Sequence, residues 1–218
     1  MTADIRRGSG YVPAMPLSPE TFYQHVLERA DVDGRLPLSR MTGWEIFPFE
    51  PDGLRVVPLE APQLPEAPRA GEDESECWAC QREEPSIWSD DHWRITMPVA
   101  ESGVPLVLMV RPNAHYDLPN LPEELAAELG RLLVHLARAI EALPHIARAH
   151  ISRWGDGGAH LHLFVFARPE GFAQLRGTCL AIWDDLLPPV PAEVQQSDAA
   201  QVAKSLVTSY GGVASMPA

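Results

Sequence analysis

No apolar run in the 218-residue chain reaches the roughly 18 residues that a membrane-spanning helix needs. No apolar stretch follows Arg6 and Arg7 either, so a secretory leader is not expected and the chain reads as cytoplasmic. Cysteine is scarce: three residues make no disulfide framework, and a chain of this length buries about 70 % of its unfolded surface without staples. Basic residues are few, 17 against 30 acidic, and the resulting net charge of −13 repels a phosphate backbone. Neither a nucleic acid nor a membrane is therefore the expected partner. What is present, 45 % hydrophobic and 22 % charged residues, is the composition of a globular domain.

Ser18-Pro19-Glu20-Thr21 ahead of Phe22, Val26 and Leu27 has the capping serine and first-turn proline of a helix start. Trp44 to Phe49 and Leu54 to Leu59 flank Glu50-Pro51-Asp52-Gly53, turn chemistry that predicts a hairpin, with Pro48 and Pro58 making its arms edge strands. From 60 to 84, three prolines and eight acids face only Arg69 and Arg82, which marks 60–75 as a solvated linker. The expected organisation is an N-terminal arm over 1–75, a main domain over 76–170 and a C-terminal helical extension over 171–218.

Within the main domain, strands are predicted at 92–97, 104–110, 149–154 and 160–167. Between the second and third, Leu125, Leu129, Leu132, Leu136, Ile140 and Leu143 keep the helical period from Leu121 to Pro144. A last helix is expected over 192–210. Strand-to-strand links this short exclude parallel crossovers, so the predicted fold class is α+β, an antiparallel sheet with helices packed on one face.

His160-Leu161-His162-Leu163-Phe164-Val165-Phe166 carries the most chemistry, because a period of two sets both histidines and both phenylalanines on one face. Imidazoles in so apolar a stretch need partners, either hydrogen bonds in a core or a ligand. Cys77-Trp78-Ala79-Cys80 has metal-ligand or redox spacing. The acids at Glu72, Asp73, Glu74 and Glu76 oppose thiolate attack and attract a divalent cation, which favours the metal. Two thiolates with two neutral imidazoles make a tetrahedral, charge-neutral zinc site, and His115 and His160 are the best candidates for the imidazoles. The third cysteine, Cys179, reads as a small buried apolar residue.

From about Cys77 to Arg168, the order of a Cys-x-x-Cys, the strand Val107 to Val110 running into Arg111-Pro112-Asn113-Ala114-His115, a long helix, a strand ending in glycines and His-x-His resembles the histidine triad superfamily, in particular its galactose-1-phosphate uridylyltransferase branch. The resemblance implies a structural zinc on Cys77, Cys80, His115 and His160, and His162 as the nucleophile that takes a nucleotidyl group from a nucleoside phosphate derivative. It further implies phosphate binding at Gly157 and Gly158 of the turn before the motif, with Arg153 and Arg168 flanking it, and a homodimer. The implied activity is a nucleotidyl hydrolase or transferase; the alternative is a non-catalytic zinc-containing nucleotide-binding or structural module. Two departures bear on this choice. Phe164 stands where the third histidine would be, and Gly157-Gly158-Ala159 lacks the polar side chain that relatives carry there. Trp154, Trp183 and Phe172 are candidates for stacking on a base.

Overall fold

The computed structural model describes residues 18–82, 84–98 and 101–215. They form two compact units, one of the described residues up to Thr42 with Glu50–Glu66, the other of Gly43–Phe49 with the described residues from Ala67 onward. In the smaller unit, helix α1 (Pro19–Leu27) begins as its sequence dictates: the Ser18 hydroxyl accepts the Thr21 N–H at 3.2 Å and proline opens the first turn. Asp31 then folds the chain back by accepting the N–H groups of Asp33 and Arg35, each at 2.9 Å. The Arg35 guanidinium donates to the Val56 carbonyl at 2.8 Å.

The predicted hairpin is absent among the described residues. Arg40–Gly43 is a 3-10 turn, and Trp44–Phe47 and Pro51–Leu54 are each closed by a single backbone bond, of 2.9 and 3.1 Å. Each arm contains a proline, Pro48 or Pro58, and a ladder of two short strands cannot spare the missing donors.

The larger unit is built on a six-stranded antiparallel sheet: β1 (Ser86–Ser89), β2 (Trp93–Thr96), β3 (Leu106–Pro112), β4 (Ile146–Ser152), β5 (Leu163–Pro169) and β6 (Val213–Ala214), in the spatial order β4-β5-β3-β2-β1-β6. Between β3 and β4 runs α3 (Glu123–Glu141), which carries the chain past the place that β5 later fills. Acids open this helix and Arg138 lies in its last turn, both in accord with the helix dipole. Its buried stripe of Leu129, Leu132, Leu136, Ala139 and Ile140 packs with Ala199, Val202, Ala203 and Leu206 of α5 (Ala192–Ser209) over one face of the sheet.

The opposite face is only partly covered. Val107 and Phe166 meet Leu175 and Leu180, the latter opening the short helix α4 (Leu180–Leu186). Further along the same strands this face is reached by α2 (Trp78–Gln81), a single turn that contains Cys80 and is preceded by Cys77 as its N-cap. The stretch read as a solvated linker also differs from expectation, since Arg69 and Ala70 are tied into this unit: Ala70 pairs with Gly158, and its carbonyl accepts the Ala159 N–H at 3.0 Å.

Candidate metal centre and its neighbouring histidine

The knuckle is shaped by its own backbone. Asp73 accepts from the N–H and hydroxyl of Ser75 at 2.9 and 2.6 Å, and the Cys77 carbonyl then accepts the N–H groups of Cys80 and Gln81 at 3.1 and 3.0 Å. Gly71, at φ +74°, lets the preceding chain pass close by: a Cβ there would lie 3.3 Å from the Cys77 sulfur. The knuckle faces the segment between β4 and β5 and the loop after β3, where His160 and His115 stand.

The ligand atoms of Cys77, Cys80, His115 and His160 all lie within 4.8 Å of one another. Both sulfurs are 3.5 Å from His160 Nδ1, and Cys80 Sγ is 3.4 Å from His115 Nδ1. Metal bonds of about 2.3 Å to sulfur and 2.0–2.1 Å to nitrogen set a tetrahedral S···N edge of about 3.5 Å, so the spacing fits a zinc-sized cation. The His160 Nε2–H donates to the Pro112 carbonyl at 3.0 Å; a carbonyl can only accept, so Nδ1 carries the lone pair and points it at the sulfurs. Burial pushes the His160 pKa down and keeps the ring neutral, as a metal ligand must be. Partial burial and the Cys77 sulfur push the Cys80 thiol up to about 11. Without a cation Cys80 is therefore a weak source of thiolate.

Strand β5 starts at Leu163, so His160 and His162 precede the ladder instead of lying within it as predicted. The reason is that Ala159 and Leu161 give their N–H groups to Ala70 and Tyr116, outside the sheet. The alternation nonetheless persists: Leu161, Leu163 and Val165 enter the main core, while the His162 ring meets Phe164 at 5.8 Å and Phe164 meets Phe166 at 6.1 Å on the other side. The His162 Nδ1–H donates to the carbonyl of His160 at 2.8 Å, which leaves the lone pair of the neutral ring on Nε2. His162 and Gly158 line a cavity of about 270 Å³ whose other walls include Cys77, Trp78, Met109 and Phe164.

No protein-family model matches the sequence, and no curated protein matches it. Solved structures do. A zinc-bound histidine triad family protein from Mycobacterium smegmatis is 19 % identical, over 58 % of this chain and 86 % of that one, with a TM-score of 0.42. A histidine triad protein from Marinobacter aquaeolei is 20 % identical, over 56 % and 88 %, with a TM-score of 0.44. A uridylyltransferase is 19 % identical over 61 % of this chain but only 47 % of its own length, with a TM-score of 0.40. The structural neighbours are histidine triad proteins and uridylyltransferases.

Of the other residues singled out in the sequence, Gly157 is exposed on the turn before the motif, beside Gly158. Arg153 is held elsewhere: its guanidinium donates to Asp117 at 2.7 Å, and Asp117 also receives Arg69 at 2.7 Å. Arg69 donates in addition to the Gly155 carbonyl at 2.8 Å, so the three residues brace the glycine turn. Arg168 is not brought to the site. It lies at the far end of β5, about 20 Å along the strand from His162 at 3.3 Å per residue, and donates to the carbonyls of Pro169 and Phe172. Trp154 packs on Phe164 and Phe166 at 5.6 and 6.2 Å, whereas the Trp183 indole N–H is taken by the Ile46 carbonyl and Phe172 is exposed. Sequence reading missed Arg69 and Asp117, because neither has a motif and their contact spans 48 positions.

Proposed function

We propose that the protein is a zinc-stabilised nucleotidyl hydrolase or transferase in which His162 is the nucleophile. One observation carries this reading: His160 presents its ring to the two cysteine sulfurs and its carbonyl to His162 Nδ1–H. Cys77, Cys80, His115 and His160 would hold the zinc, which would make their segment rigid, and the His160 carbonyl fixes the tautomer and aim of the neighbouring imidazole.

The Nε2 lone pair attacks the phosphorus of a nucleoside phosphate derivative; the P–N bond forms as the bond to the leaving group breaks, and the leaving group takes its proton from solvent. The imidazole becomes cationic in this step, and the His160 carbonyl accepting from Nδ1–H stabilises it. Water or a second phosphate then attacks the same phosphorus and returns the electron pair to Nε2. Backbone N–H groups of Gly157 and Gly158 approach the phosphate, while Arg153, paired with Asp117, helps hold the turn.

A specific observation favours the second reading, a nucleotide-binding module without turnover: Phe164 packs against His162 and offers no donor to a phosphoryl oxygen. Hydrolysis of adenosine phosphoramidate, dinucleoside polyphosphates and nucleotide sugars, measured for the parent and for His162→Ala, separates the two. The enzyme reading expects turnover that falls at least about 10³-fold in the variant. Equal rates in both proteins, each folded and zinc-loaded, leave only the binding module. We further propose a homodimer, supported by the outer side of β4, which has no strand partner among the described residues. Light scattering that gives a monomer's mass overturns it.

A further inference from the structure

The face of the sheet that bears His162 also bears two arginines that the mechanism above leaves unused. In the β2–β3 ladder Arg94 stands opposite Arg111, and in the β3–β5 ladder Met109 stands opposite Phe164 and Val110 opposite Leu163. Arg111 and His162 are the next residues beyond the end of that pairing, and both line the same 270 Å³ cavity.

Arg111 is 4 % exposed. Its Nη2 donates to the Thr96 hydroxyl at 3.0 Å and pairs with Glu84, but its Nε is buried and has no partner among the described residues. Arg94 beside it is in the same condition, with Nη2 on the Ala79 carbonyl at 2.6 Å and Nε unpartnered. Glu84, half-buried, pairs with Arg111, while Arg94 has no carboxylate within ion-pair distance among the described residues; Glu76, which also lines the cavity, is exposed. An unpaired donor makes the buried cation costly, so a further anion near the guanidinium is favoured. A cavity lined by a guanidinium and an imidazole, and floored by Met109 and Phe164, suits a phosphoryl group attached to an apolar body.

We propose that Arg111 binds the phosphoryl oxygens of the substrate, supplying from β3 the donor that Phe164 removes from β5. Glu84 holds the guanidinium in the free protein and competes with the incoming phosphate. The inference rests on reading the cavity as a site for nucleoside phosphates, and it concerns binding, so it can be tested apart from turnover.

The test is calorimetric titration of the full-length, zinc-loaded protein with AMP and UMP, each beside its parent nucleoside. At least one monophosphate is expected to bind tenfold or more tightly than its nucleoside. Arg111→Met brings that ratio to within threefold of one, Arg111→Lys retains most of it, and Glu84→Gln raises it. A parent that binds neither monophosphate, or shows no preference for phosphate, overturns the proposal, as does an unchanged ratio in a folded Arg111→Met protein. Should that variant fail to fold, Glu84→Gln decides alone: no gain in monophosphate affinity counts against the proposal. His162→Ala keeps the two readings apart. Lost turnover with the phosphate preference intact supports the nucleophile, whereas unchanged turnover removes the nucleophile and leaves Arg111 standing.

Discussion

Asp117 is 8 % exposed and takes two guanidiniums, from Arg69 and Arg153, so it is the acid on which the glycine turn depends. Burial alone would raise its pKa, but the hydrogen bonds from Arg69 and Arg153 outweigh burial and hold it below the usual carboxylate range. A lowered folded-state pKa favours folding while the group is ionised. The contribution is complete above the ordinary range of an aspartate and is lost as pH falls through the lowered folded value. Asp117→Asn should therefore lower stability by about 1–3 kcal/mol at pH 7, a buried charged pair having lost its anion. Urea midpoints should fall more steeply with acidification in the parent than in the variant; parallel curves would show that Asp117 does not titrate with folding. The cluster that could hold a metal was legible in the sequence because cysteine is rare and its Cys-x-x-Cys spacing is a local signal. Arg69 and Asp117 were not, since ordinary surface residue types gain meaning only once the fold brings them together.

Among the elements, those with a long period were the readable ones. Helix α3 repeats its apolar positions over five turns, and the structure buries that stripe from Leu129 to Ile140. Strand β1 escaped notice because it has four residues and only Ile87 and Trp88 are apolar; what fixes it is the tight turn in which Asp90 accepts the N–H groups of His92 and Trp93 at 2.9 and 2.7 Å. The absent hairpin shows the converse, turn chemistry without enough donors to form a ladder. Because α3 and α5 share one core on the face away from the metal ligands, their packing and the metal should separate experimentally. Leu136→Ala is expected to cost about 2–5 kcal/mol in a chemical denaturation curve while the metal content by mass spectrometry stays at the parent level. Loss of metal in that variant at native conditions would mean that the two faces are not independent.

At the scale of the whole molecule, a net charge of −13 coexists with a patch where Arg82, Arg94 and Arg111 gather around the knuckle, Arg82 and Arg111 both 5.6 Å from the Trp78 ring. The acidic composition argued against a nucleic-acid partner, but a sum over the chain does not show that these three arginines stand beside the acids at 72–76. The four candidate donors, which lie as far as 83 positions apart, would tie this patch to the sheet through a bound cation. Chelation of the purified protein should lower its Tm by roughly 5–10 °C, since a chain of this size shifts about 2–4 °C per kcal/mol, and readdition of zinc should restore it. A melting curve indifferent to chelator would deny the centre any share in stability.

The spacing of His160 and His162 works as a ruler. Ring, carbonyl and next ring come into line because two residues are one full repeat of the pleat. A single residue inserted between them would put the second ring out of phase, exchanging an imidazole in the cavity for one pressed into the leucine core, while two inserted residues would restore the phase but lift the ring away from the carbonyl that steadies it. Neither an odd nor an even lengthening here is expected to keep the arrangement, whereas a side chain at Gly157, just before it, would meet open space.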